Sequence, residues 1–111
     1  MGEKGDKRTG AAKTAADEVV SRLASLGDVT GKGMFGGYGI FVEGVMFGLV
    51  DSAGTVHLRV GDDTRARFEA SGGQPHGKMP YFSVPAKVLN DDSALRDWAS
   101  AAMATARAAK K

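Results

Sequence analysis

The sequence predicts an α+β domain. Its antiparallel sheet has about five strands, a four-strand meander plus one, with flanking N- and C-terminal helices in the order α-β-β-β-β-α-β-α. Three observations point to this class. Residues 34–51, MFGGYGIFVEGVMFGLVD, alternate apolar side chains at period two on both sides of a Glu43-Gly44 pair, the pattern of a tight hairpin. Before and after the β-rich middle, apolar residues recur at three- and four-residue spacing, as on one face of a helix. The strand connections are short, which suits antiparallel neighbours and leaves no room for the long crossovers of a parallel sheet.

Taken in order, residues 1–13, MGEKGDKRTGAAK, hold three glycines and scattered charges without a period. They are expected to form a flexible leader ahead of a single domain over residues 14–109. From Thr14 a helix is expected. Ala15, Ala16, Val19, Leu23 and Leu26 form its apolar stripe, Asp17 and Glu18 sit in its early turns where acidic groups suit the macrodipole, and Gly27 stops it. Val29–Met34 reads as a short strand and Phe35-Gly36-Gly37 as the bend into the hairpin.

In the hairpin, Tyr38, Ile40 and Val42 share a face of the first strand, and Val45, Phe47 and Leu49 share one of the second. Gly44 supplies the positive φ that a two-residue turn needs. Gly36, Gly37, Gly39 and Gly48 weaken a strand, so they predict bends, bulges or a backbone or ring packed closely over the sheet. A phosphate-cradling loop is the competing reading. It would open a helix and supply a Lys-Ser/Thr pair, whereas this stretch runs into a strand.

Asp51-Ser52-Ala53-Gly54 forms the next turn, and Thr55–Val60 a strand with Val56, Leu58 and Val60 inward and Thr55, His57 and Arg59 outward. A helix of about two turns follows, with Asp62 as N-cap and Phe68 as apolar anchor, broken at Ser71-Gly72-Gly73-Gln74-Pro75. Tyr81–Val84 is the fifth strand, and Pro85 opens one helical turn through Leu89. The cluster Asn90-Asp91-Asp92-Ser93 caps the last helix, whose stripe is Leu95, Trp98, Ala102 and Met103 and which ends near Ala109.

A chain of 111 residues with 42% hydrophobic and 25% charged residues fits one globular domain. No apolar run approaches the ~20 residues of a membrane span, and the N-terminus lacks the apolar core of a secretory signal. A soluble, cytoplasmic protein is expected. The absence of cysteine excludes disulfides, thiolate catalysis and thiolate metal sites. The net charge is +2, but residues 1–13 carry +2 and residues 107–111 carry +3, which leaves the body at −3. An acidic body does not present a nucleic-acid groove, so nucleic acid is expected to bind weakly and indirectly at most, through the basic ends.

No catalytic, cofactor-binding or metal-binding constellation stands out. His57 has no identifiable nucleophile or orienting partner. His76, in a Gly-Gly-Gln-Pro-His-Gly loop, lacks metal-ligand spacing and reads as a loop residue. The pairs Asp62-Asp63 and Asp91-Asp92 precede helices, where capping accounts for them. Arg65, Arg67 and Lys87 with Phe35, Tyr38, Phe41, Tyr81 and Phe82 could be imagined as a base-stacking surface, but most of these aromatics fit a core. Met34, Met46, Met79 and Met103 read as core filler. Because Tyr81 and Phe82 point to opposite faces of one strand, one of them is expected to be exposed. Together with the outward His57 and Arg59 they mark the expected partner surface.

At MFGGYGIFVEGVMFGLV, followed by VHLRV, DDTRARFEASG, MPYFSVP and LRDWASAAMATARAAK, the chain resembles the N-terminal domain of the TfoX/Sxy family over roughly residues 15–109. The resemblance implies an α+β fold without catalytic activity or cofactor, in a family that includes regulators of competence for DNA uptake. Longer members carry a second, helical C-terminal domain, so it implies a stand-alone N-terminal domain here. The expected function is a non-enzymatic regulatory or adaptor domain that binds another protein, with homodimerisation as one form of that binding. The alternative is a nucleic-acid-binding module using the basic termini.

Overall fold

The computed structural model describes residues 3–34 and 36–110, with side chains from Gly10 onward except those of Phe35 and Lys110. It is an α+β domain whose five-stranded antiparallel sheet runs in sequence order, β1 (Val29–Met34), β2 (Gly37–Val42), β3 (Val45–Val50), β4 (Val56–Arg59) and β5 (Tyr81–Ser83). Helix α1 (Glu3–Leu23) precedes the sheet and α2 (Asp62–Ala70) separates β4 from β5. A single turn, α3 (Ala86–Leu89), then leads into α4 (Asp92–Lys110). Helices α1 and α4 pack on the same side of the sheet, α1 mainly over β1 and β2 and α4 over β3 and β4.

Glu43 and Gly44, with φ of 51° and 84°, make the expected two-residue hairpin turn between β2 and β3. The register is not the one expected. Ile40 pairs with Gly48 but Phe41 pairs with Met46, so Phe47 is the extra residue of a β-bulge. The bulge shifts the side-chain alternation by one. Val45, Phe47 and Val50 all belong to the helix-covered core, and Leu49, expected on the face of Phe47, turns to the opposite side as the partner of Gly39 and His57.

Helix α1 starts eleven positions earlier than Thr14, so Glu3–Lys13 of the expected leader lie in it, while Met1 and Gly2 fall outside the described residues. The glycines suggested a break, but Ala12 is fully buried against the core and continues the stripe of Ala16, Val19 and Leu23. A packed residue thus outweighs the helix cost of about 1 kcal/mol that one glycine carries. Of the expected bend Phe35-Gly36-Gly37, Phe35 lies outside the described residues, while Gly36 turns with a φ of 78° directly before β2. In α2 the N-cap is Gly61 and not Asp62, and the Thr64 hydroxyl reaches back to accept the Gly61 N–H at 2.9 Å. Asp91 caps α4 as expected, accepting the backbone N–H groups of Ser93 and Ala94. Phe68 is the buried anchor of α2, its ring 4.5 Å from that of Trp98 on α4.

Gly37 marks the tightest approach in the sheet, because a Cβ there would collide with the backbone carbonyl oxygen of Val50. At Gly39 the added atom meets the Met34 sulfur and the Phe41 ring, side chains that can turn aside. Gly10, within α1, has nothing within 4 Å. Gly37→Ala is therefore expected to destabilise the domain by about 1–3 kcal/mol and more than Gly39→Ala does. Gly10→Ala should stabilise it by roughly 0.5–1 kcal/mol. Urea unfolding of the three variants checks the ranking, and equal stabilities for Gly37→Ala and the parent would contradict the register.

Candidate functional site

Because both long helices lie on one side, the other side of the sheet is where polar chemistry collects. Registry partners across an antiparallel sheet share a face, so Gly39, Phe41, Met46, Leu49, His57, Arg59, Tyr81 and Ser83 all look away from α1 and α4. The loop from Ser71 to Pro80 lies along β5, with the Gln74 N–H donating to the Ser83 hydroxyl and the His76 N–H to the Tyr81 carbonyl. That path brings His76 back over β4.

Two histidines 19 positions apart in sequence thereby meet, their ring centroids 4.8 Å apart in an edge-on arrangement. Asp51, from the turn after β3, completes the group: one ligand atom from each of Asp51, His57 and His76 lies within 4.8 Å of the others. His57 is 5% exposed, whereas Asp51 and His76 are half-buried. Each member is held by backbone. His57 Nδ1 lies 3.1 Å from the Thr55 carbonyl oxygen, and one Asp51 carboxylate oxygen accepts the N–H groups of Ala53 and Thr55. A cavity of about 220 Å³ opens beside the group, lined by Met34, Met46, Leu49, Met79 and His76.

In the sequence His57 and His76 stand 19 positions apart without metal-ligand spacing. The pairing of the loop with β5, which has no sequence period, is the contact that folds His76 over β4. His57 was expected outward, and it does face away from the helices, but His76 and the surrounding strand bury it. The expected exposure at Tyr81 or Phe82 is absent: Phe82 is in the core and Tyr81 is 4% exposed, covered by the Arg59 guanidinium 5.7 Å from its ring centre. The Tyr81 hydroxyl donates to the Met46 carbonyl at 3.4 Å. Arg59 is the partly exposed member of the expected partner surface. Among the methionines, Met103 is core, but Met34 and Met46 line the cavity and Met79 is exposed.

Burial lowers the His57 pKa below its ordinary value, and the neighbouring His76 lowers it further. The Asp51 charge and the carbonyls of Thr55 and Leu49 oppose this without cancelling it. The folded chain therefore holds neutral imidazole where the unfolded chain binds a proton. The resulting stability is fully present above about pH 6.5, the unfolded value, and is lost as pH falls through the folded pKa. Urea midpoints measured in chelator between roughly pH 7.5 and 5.5 should fall toward acid, and a folded His57→Gln variant should show a flatter profile. A midpoint independent of pH over this range would contradict the burial of His57.

No curated protein matches the chain. A sequence model of the TfoX N-terminal domain does match, over residues 21–106, a span that holds the entire sheet, the bulged hairpin and the buried stripe of α4. The chain belongs to the TfoX N-terminal domain family.

Proposed function

We propose that this chain is a non-enzymatic regulatory adaptor domain that works by holding another protein, in the transcriptional or competence-related setting its family suggests. The observation that supports this reading is Arg59. Its Nε is buried and has no acceptor among the described residues, while its guanidinium lies against Tyr81 on the face the helices leave uncovered. A buried N–H without an acceptor costs about 1–3 kcal/mol. Arg59 as a whole is partly exposed, so a partner carboxylate or carbonyl can engage the terminal nitrogens of the same guanidinium. Half-buried Phe41 and Met46 line a shallow pocket with it, and Met46 also borders the cavity that exposed Met79 lines; arginine beside aromatic and methionine side chains is the composition of contact centres between proteins.

Less supports binding of nucleic acid through the basic ends. Lys13 is paired with Asp17 at 2.9 Å and Arg107 with Glu43 at 3.2 Å, so two of the terminal cations already face carboxylates. The aromatics suggested for base stacking are half-buried or buried where described, and Phe35 lies outside the described residues.

The test compares the full chain with an Arg59→Met, Met79→Ser variant, which keeps the aliphatic stem of Arg59 and removes its charge. Capture from native lysate followed by mass spectrometry should enrich a protein with the parent and lose it with the variant, at equal melting temperature. The parent should bind duplex DNA only weakly, without sequence preference, and less as salt rises. Sub-micromolar, sequence-selective DNA binding, or enrichment indifferent to both substitutions, would sink the adaptor reading.

A further inference from the structure

We propose that Asp51, His57 and His76 form a site for a divalent transition-metal ion of the zinc class, with its open side on the methionine-lined cavity. The three residues come from three separate segments, the turn after β3, strand β4 and the loop before β5, and their ligand atoms converge within 4.8 Å. Donors around a tetrahedral zinc with bonds near 2.0–2.1 Å stand ~3.4 Å apart, so closure takes up to ~1.4 Å of movement. The two half-buried members, Asp51 and His76, can supply it by side-chain rotation while the buried His57 stays fixed.

Each of the three residues is tethered to neighbouring backbone by hydrogen bonds of its side chain or its own main chain. With Nδ1–H of His57 donating to the Thr55 carbonyl, Nε2 carries the free lone pair, the arrangement by which a backbone carbonyl sets the tautomer of a metal-bound imidazole. The carboxylate oxygen of Asp51 that caps the turn leaves the second oxygen for a cation. His76 is anchored through its backbone, its N–H to the Tyr81 carbonyl and its carbonyl accepting the Met79 N–H, so the ring turns on a fixed stem.

The donor set selects the ion. Two imidazoles and one carboxylate suit zinc, nickel, cobalt or copper(II), while calcium and magnesium prefer shells built from oxygen donors. Three protein ligands leave at least one position unfilled. It faces a cavity of about 220 Å³ bordered by Met34, Met46 and Met79, large enough for water or a small ligand. Binding is not a folding requirement, because the helix-covered core lies on the other side of the sheet. The site shares the cavity wall at Met46 and Met79 with the adaptor reading, but none of its three ligands is Arg59 or Met79, so the two are tested by different substitutions.

Tag-free, chelator-stripped full-length protein is titrated with zinc chloride by calorimetry, with bound metal counted by elemental analysis and cobalt(II) absorption reporting coordination. One equivalent of zinc should bind with a micromolar or tighter Kd and raise the melting temperature. His76→Ala and Asp51→Asn, the latter retaining an oxygen to cap the turn, should each weaken zinc by about tenfold or more and lose the cobalt spectrum. Their metal-free melting temperatures should stay close to the parent's. Absence of stoichiometric zinc in the parent, or equal zinc affinity in both variants, would overturn the proposal.

Discussion

The bulge at Phe47 sets which side chains face which way in the second half of the sheet. On its hairpin side Val45 faces the helices, and on its far side Val50 does, with Phe47 buried between them. Without the extra residue the alternation would carry Leu49 into the helix-covered core and Val50 out of it, and one face cannot tolerate that slip once the other is sealed by α1 and α4. The register continues into β4 through Leu49 paired with His57 and Val50 with Val56. Thus one inserted residue in β3 decides that His57 looks away from the core while Val56 and Leu58 enter it. The bend also brings the end of β3 to the point where Asp51 begins its turn, and Gly37 allows the Val50 carbonyl to pass.

Apolar burial rather than ion pairing holds this arrangement together. Leu23, Ile40, Phe47, Leu58, Phe68 and Leu95 are at most 1% exposed, and each side chain of this kind contributes roughly 1.5–3 kcal/mol. The main polar link between α1 and the start of α4 is Arg22, which donates to the Leu89 carbonyl at 2.6 Å and to Asp92 at 2.8 Å. Asp92 is 63% exposed, so water screens the pair and its net worth falls in the range of about 0–1 kcal/mol. The Arg22 contacts therefore act chiefly on geometry. They hold the single turn α3 and the cap of α4 against α1, while the amount of stability is decided under the sheet.

Period and turn chemistry made most of the architecture legible in the sequence. Glu43-Gly44 announced the hairpin, the stripe of Leu95 and Met103 announced α4, and short links announced an antiparallel sheet. The bulge was hidden because a bulge keeps both local patterns intact and appears only in the pairing between strands, although Gly48 beside Phe47 was the residue that signalled an irregularity. The start of α1 was hidden because Ala12 carries a weak apolar signal and gains its importance from close packing. The juxtaposition of His57 and His76 was the least legible feature, since it depends on the Gln74–Ser83 and His76–Tyr81 hydrogen bonds of a loop with no periodicity at all.

The two faces of the sheet answer to different demands. The helix-covered face is apolar almost throughout, and the residues there are those that folding alone would select. The opposite face carries an imidazole at 5% exposure, a guanidinium whose Nε has no acceptor among the described residues, and a half-buried carboxylate. Burial raises the cost of each of these groups unless it finds a counterpart. A chain under pressure for stability alone would place apolar or fully solvated residues at these positions, as it does at Leu49 and Lys32. Departures from the most stable choice that cluster on one face, beside one cavity, are what the proposed binding there would produce. Arg59 and the Asp51–His57–His76 group stand on that same surface but have different chemistry, a donor without an acceptor among the described residues in one case and three possible ligand atoms within 4.8 Å of one another in the other. An acceptor-bearing protein and a metal ion are the two kinds of counterpart that such groups can engage without competing for the same atoms.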